Sequence, residues 1–225
     1  QELGPAGRVH CVVRRPEALD DGLLASDTAR LRITRDPRVV LHLGDVGDAR
    51  LGLAADSHAA LAEQVDTVIH LAARLSAAAS LEALLAVNLE GTRRALELCL
   101  QGRPKALLHA STLSVFTDAR PHPATCLEDD DLTLHEALLT PYAASKWLAE
   151  RLVRSADPHG RAATIVRLGL LTGEASDGRG AHAGHLARVV RGLARLGVLP
   201  DASGAAAASL AFDVTPLDHA ADALM

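Results

Sequence analysis

The sequence predicts an α/β protein built on a doubly wound parallel sheet. Three observations carry this. Short apolar runs recur along the chain, at 9–13, 39–43, 67–71, 105–109 and 163–168, and each ends in small or polar residues. Such runs read as buried strands. Helical stretches lie between them, so strand and helix alternate, the pattern of a parallel sheet covered on both faces. Finally, polar and small residues follow the strands: Arg14, Asp45, Ala72-Ala73, Ser111-Thr112 and Gly169. Right-handed crossovers bring these strand ends to one edge, the edge where such sheets bind ligands.

Taken in order, the first strand, Arg8 to Val13, is stopped at Arg14-Arg15-Pro16, because proline cannot continue it. A poorly defined helical stretch covers 17–35. The second strand ends at Gly44-Asp45, and a short helix runs from Ser57 to Gln64. The third strand ends at Ala72-Ala73 and leads to a long helix over Leu81–Leu100 that contains Asn88 and Gly91. The fourth, from Lys105 to His109, ends at Ser111-Thr112. An acidic, Pro-containing loop over 117–140 precedes the helix that opens at Tyr142. The fifth strand ends at Gly169, and a helix lies near 185–196. The last strand, near 210–214, leads into a predicted helix start, with Thr215 as N-cap, Pro216 at the first helical position and Asp218 three after the cap.

The 225 residues suffice for one domain with a core, and 1–225 reads as one incomplete domain without internal repeats. Aromatics make up only 2% of the chain, so Ala, Leu and Val must build that core. A net charge of −5 argues against a general nucleic-acid binder. No apolar run reaches membrane-spanning length. Three widely spaced cysteines, Cys11, Cys99 and Cys126, suggest neither a disulfide framework nor a zinc site, which points to a reducing cytoplasm. His182 and His185 lack the partners of a metal site, so no metal is expected. The run Glu128-Asp129-Asp130-Asp131 reads as a solvated loop. The chain opens on Gln1 and its only Met is Met225, as expected of a piece of a longer polypeptide.

Chemistry concentrates at Tyr142-Ala143-Ala144-Ser145-Lys146, which holds the only tyrosine. Residues four apart share a helix face, so Tyr142 and Lys146 can enter one pocket. A nearby ammonium is expected to lower the phenol pKa, making the pair an acid/base unit for a carbonyl or alcohol oxygen.

Seven stretches in order carry a resemblance: Val9-His10-Cys11-Val12-Val13-Arg14, Leu43-Gly44-Asp45-Val46, Val68 to Ala73, Val87-Asn88-Leu89-Glu90-Gly91-Thr92, Ala110-Ser111-Thr112-Leu113-Ser114-Val115-Phe116, Tyr142 to Lys146, and Thr215-Pro216-Leu217-Asp218. Across nearly its whole length the chain resembles the extended short-chain dehydrogenase/reductases. More narrowly, it resembles the thioester reductase domains of nonribosomal peptide and polyketide synthetases and carboxylic acid reductases. The resemblance implies a Rossmann-like fold whose first strand and Gly-rich loop are not in this sequence. It also implies an Arg-Pro-Gly where this chain has Arg167-Leu168-Gly169.

The resemblance assigns Thr112, Tyr142 and Lys146 as catalytic residues. Thr112 would donate to the substrate carbonyl oxygen as charge develops, and Lys146 would also hold the nicotinamide ribose. Arg14 and Arg15 follow the first strand, where an acidic residue would bind the adenosine ribose and arginine accommodates a 2′-phosphate, so NADPH is expected. Asp45, beside Val46, resembles the adenine contact. Ala72 and Ala73 would be small to let the cofactor pass, and Leu168 and Gly169 would contact it through backbone. Asn88 would be a buried brace for the active-site strands, its alternative being a solvent-facing polar residue.

The expected activity is NADPH-dependent reduction of an acyl or peptidyl thioester carried by a phosphopantetheinyl carrier domain. Two alternatives stand beside it: a sugar-nucleotide epimerase or dehydratase of the same superfamily, and a catalytically dead fragment. Strand one would sit centrally in the order 3-2-1-4-5-6. The strands near Val9 and Val39 are therefore expected to lose their neighbour near Thr67, leaving buried backbone groups unpaired on both sides of the gap, and the chain alone is expected to be unstable or inactive.

Overall fold

The computed structural model describes residues 7–14, 36–76, 78–117, 125–130, 140–157, 162–178, 184–198 and 213–224. Arg15, the predicted helix over 17–35, Asp131 and His182 lie outside them. Seven strands are described: β1 (Val9–Val13), β2 (Val39–Leu43), β3 (Thr67–His70), β4 (Ala106–Thr112), β5 (Ala163–Leu168), β6 (Leu170–Thr172) and β7 (Val214–Pro216). The helices are α1 (Ala55–Gln64), α2 (Leu81–Leu100), α3 (Pro141–Ala156), α4 (His185–Leu196) and α5 (Leu217–Leu224). The described residues fall into two compact units. The larger holds 10–14 and 40–167, and the smaller holds 168–225 with residues 7–9 and 36–39.

In the larger unit, β3, β4 and β5 form one sheet in that order, and β3 runs parallel to β4 with His70 opposite His109. The strands β1 and β2 pair separately, so the expected break between β1 and β3 is present. Leu43 and Ile69, at 68% and 44% exposed, are apolar strand residues left open to solvent.

The two long helices begin where the chain supplies a cap. Ser80 accepts from the Ala83 N–H at 3.3 Å and opens α2. Thr140 accepts from the Ala143 N–H at 3.1 Å and opens α3, with Pro141 pre-set for the first turn. The two helices pack against each other. The core is aliphatic, as the scarcity of aromatics requires. One cluster gathers Leu51, Leu53, Leu61, Ala62 and Leu98, and another Leu96, Leu107 and Val153. Each such leucine contributes about 1.5–3 kcal/mol through burial. Val46 seats on Gly91 of α2, where an added Cβ would lie 3.1 Å from the Val46 Cγ2, so α2 needs a small residue there.

Strand β4 alternates with period two: Leu107, His109 and Ser111 point inward at 3%, 0% and 5% exposure. Its buried side therefore turns from apolar to polar toward the C-terminal end. At the opposite end Lys105 is buried. Its ammonium donates to the carbonyls of Ala62 (2.7 Å), Gln101 (2.5 Å) and Arg103 (2.7 Å), so all three of its donors are used.

In the smaller unit β6 and β7 run parallel, with Leu171 opposite Thr215 and Thr172 opposite Pro216. This corrects the predicted helix start. Thr215 and Pro216 belong to the strand, and α5 begins at Leu217. Asp218 instead accepts the Ala175 N–H at 3.1 and 3.2 Å, tying the turn after β6 to α5. Gly169 leads into β6. An added Cβ would stand 2.7 Å from an Asp213 carboxylate oxygen and 2.8 Å from the Thr215 hydroxyl.

Candidate active site

Helix α3 packs against β4 and the short 3-10 turn over Leu113–Phe116 that follows it. This brings Lys146 to the C-terminal end of β4. Its side chain is buried, and Nζ donates to the Ala110 carbonyl at 2.7 Å and lies 3.3 Å from the His109 Nε2. Burial holds the Lys146 pKa down at about 8, opposed by the Glu150 carboxylate one turn along.

Tyr142 occupies the first turn of α3. Its phenol pKa is raised by burial. The expectation that Lys146 lowers it is thereby corrected: burial is the cause of the shift, and the ammonium is directed to Ala110 and His109 instead. The phenol keeps its proton at neutral pH, which suits a proton donor.

Thr112 ends β4. Its Oγ1 accepts from the Ser114 N–H at 3.2 Å and its hydroxyl donates to the Ser114 Oγ at 3.2 Å, so it caps the 3-10 turn. Next to it the buried Ser111 Oγ has no hydrogen-bond partner among the described residues.

Asn88 is 1% exposed, which excludes the solvent-facing alternative. Its amide nitrogen donates to Ser145 Oγ at 2.8 Å and to the Arg74 carbonyl at 3.3 Å, and its oxygen accepts the Arg74 N–H at 2.7 Å. Ser145 in turn donates to the Tyr142 carbonyl at 2.7 Å. One side chain on α2 thus ties α3 to the segment after β3. Ala72 and Ala73 lie in that segment, Ala72 exposed and Ala73 half-buried.

Arg14 and Asp45 follow β1 and β2 and pair with each other at 3.7 Å. Asp45 also accepts the Gly47 N–H at 2.9 Å. Arg14 keeps 64% of its side chain exposed, so its guanidinium retains free donors. Leu168 and Gly169 are half-buried in the smaller unit. Among the described residues no cluster could hold a metal ion, and Cys126 is exposed.

Several polar residues at this site were not singled out by sequence pattern. His109 and His70 are buried, with rings 5.4 Å apart, and His70 Nε2 lies 3.2 Å from the Thr92 hydroxyl. Burial, reinforced by Lys146, pushes His70 down to about 4. Burial, Lys146 and His70 push His109 down to about 2. Glu150, fully buried, is gripped by Arg167 at 2.8, 3.1 and 3.2 Å. Arg167 also stacks on Phe116 at 4.6 Å and donates to the Glu128 carbonyl at 3.1 Å. The alternation of β4 was the available signal for His109, and the second four-residue step from Lys146 to Glu150 was the signal for the ion pair.

Residues 4–224 match the model of an NAD-binding family described as male sterility protein. The chain belongs to this family. It is a family of NAD(P)-dependent oxidoreductases, and the resemblance to extended short-chain reductases of the thioester reductase kind is borne out with it. The chain is 32% identical to the terminal R domain of the myxalamid PKS-NRPS pathway, with a TM-score of 0.77 over 96% of this chain and 55% of that one. It is 32% identical over 203 residues to the isonitrile lipopeptide synthase of Streptomyces coeruleorubidus, covering 89% of this chain and 13% of that protein. It is 28% identical over 228 residues to a linear gramicidin synthase of Brevibacillus parabrevis, covering 96% of this chain and 4% of that protein. The chain therefore spans only a small part of these curated relatives. A thiolation-reductase di-domain (24% identity, TM-score 0.60, 76% of this chain and 37% of that one) and the NAD-bound dTDP-glucose 4,6-dehydratase of Streptomyces venezuelae (22%, 0.63, 88% and 56%) share its Rossmann-like fold.

The residues fit a nicotinamide cofactor. Among the described residues two of the three Lys146 donors are taken, the neighbouring Ser111 hydroxyl is unpartnered, and Arg14 offers an exposed guanidinium. Among the described residues no helix is long and apolar enough to cross a membrane.

Proposed function

We propose that this chain is a reductase domain that uses NADPH to reduce a carrier-bound acyl or peptidyl thioester to an aldehyde, or by a second round to an alcohol. The observation that carries the reading is the buried Lys146 at the β4 end, four residues along the same helix from Tyr142. When bound, the cofactor supplies hydride to the thioester carbon. Tyr142 donates its proton to the carbonyl oxygen, and the Thr112 hydroxyl turns from Ser114 to polarise that oxygen. The resulting hemithioacetal collapses, its C–S bond breaking, to an aldehyde and the carrier thiol. Lys146 holds the ribose hydroxyls and returns the phenol to its protonated state. Arg14, with Arg15 beside it in sequence, faces the 2′-phosphate, which favours NADPH over NADH. Asp45 and Val46 hold the adenine end, Ala72 and Ala73 stay small so that the cofactor can pass against them, and Asn88 braces the segment that carries the alanines. The partner is a phosphopantetheinyl carrier domain, and the setting is the cytoplasm.

The test is an assay of this chain carried within the longer polypeptide it is expected to belong to, the chain alone being expected to be inactive, with an acyl-phosphopantetheine thioester, following loss of NADPH absorbance and trapping the product with a hydrazine. Aldehyde formation with NADPH, and weaker turnover with NADH, is the expected result. Absence of thioester-dependent oxidation of either cofactor would refute the reading.

A further inference from the structure

We propose that His109 is a positioning residue: it holds the Lys146 ammonium against the carbonyl end of β4 and leaves one N–H of that ammonium for a ligand. The proposal rests on the reductase reading of Lys146 and extends it to a residue outside the resemblance. An ammonium has three donors. One goes to the Ala110 carbonyl at 2.7 Å and one to the His109 Nε2 at 3.3 Å. With its direction set by two partners on one strand, the third points away from both.

The ring is costly to keep for packing alone. For Nε2 to accept, the proton must sit on Nδ1, and that nitrogen is buried without a hydrogen-bond partner among the described residues. Leucine or phenylalanine would fill a fully buried position without stranding a polar atom. The groups around the ring favour its neutral form. Lys146 stands against it from α3, with Glu150 a turn further along that helix and held by Arg167 of β5, and His70 is its register partner on β3. A cation beside it and a second buried imidazole both oppose a charge on His109. It remains an acceptor across the neutral range.

The chain has only two lysines, Lys105 and Lys146, which makes the ammonium directly observable. Carbon NMR of Cε-labelled lysine is recorded against pH for the wild type, His109→Phe and His109→Gln, with Lys146→Arg to assign the signal. In His109→Phe the ammonium loses an acceptor, so its proton affinity falls about tenfold and the Lys146 midpoint moves down. In His109→Gln the side-chain oxygen can take the Nε2 role, and the midpoint stays near the wild-type value. The alkaline limb of the NADPH-dependent rate should follow the same order. An unmoved midpoint in His109→Phe, or a glutamine variant that shifts as far as the phenylalanine one, overturns the proposal. If the midpoint moves as expected while the wild type reduces no thioester, the coupling of His109 to Lys146 stands and the reductase reading fails.

Discussion

Two arginine–carboxylate pairs in the larger unit differ in almost every physical respect. Arg167 and Glu150 are 10% and 0% exposed and meet through three hydrogen bonds. Arg14 and Asp45 are 64% and 31% exposed and touch at 3.7 Å. A buried pair cannot fall back on water, so its partners are committed to each other and to the fold. A loose surface pair costs little to open, so its charges remain available. The first kind of pair ties the Tyr142 helix to β5. The second leaves a cation free to meet an anionic ligand.

The largest effect is expected at the centre that the buried pair supports. Tyr142→Phe removes the proposed proton donor and should lower kcat by about 10²–10⁴-fold, with circular dichroism unchanged. A variant retaining more than about a tenth of wild-type kcat would mean that another group gives the proton.

Next comes the buried pair. Arg167→Met leaves Glu150 charged and unpaired and should cost about 3–5 kcal/mol in a denaturant titration. Arg14→Met, by contrast, should change stability by less than about 1 kcal/mol. Equal losses for the two would erase the distinction between them.

Acid should reveal the histidines. An unfolded histidine binds its proton below its ordinary value of 6.5, whereas folded His70 resists until about 4. The unfolded state therefore binds more protons between those values. Stability is fully present above 6.5 and falls as pH drops toward about 4. By about pH 5 the loss for His70 should be on the order of 2 kcal/mol, and His70→Gln should flatten that slope. Urea midpoints across this range, measured for both proteins, provide the check.

The smallest effect sharpens the exposed side of the comparison. Arg14→Ala should raise the KM for NADPH by about tenfold, the worth of one charge-assisted contact to phosphate, and leave that for NADH nearly unchanged. A parallel rise in both would remove Arg14 from 2′-phosphate recognition.

Local pattern accounts for much of the fold. The strands at Val9, Val39, Thr67 and Ala163 lie where short aliphatic runs place them, and β4 overlaps its predicted run at Lys105–His109. The caps at Ser80 and Thr140 mark helix starts because their side-chain oxygens satisfy bare N–H groups. Tyr142 and Lys146 stand out because a four-residue step is local geometry. The predicted helix start at Thr215 fails because a Thr-Pro-x-Asp pattern carries no sign of a parallel neighbour, and Leu170–Thr172 supplies one. The expected fall in the phenol pKa fails because spacing measures distance along a helix and is blind to desolvation.

The order of elements, the aliphatic core and the Tyr142–Lys146 face were thus settled by the chain's own pattern, since periodicity, caps and turns act over a few residues. The buried polar line from Thr92 through Asn88 and Ser145, the Lys146 contacts to Ala110 and His109, and the Glu150–Arg167 pair were settled only by packing. The Asn88–Ser145, Lys146–Ala110, Lys146–His109 and Arg167–Glu150 partners lie 57, 36, 37 and 17 positions apart. Which donor meets which acceptor at such separations depends on how α2, α3 and the sheet come together, and on the water that this packing excludes.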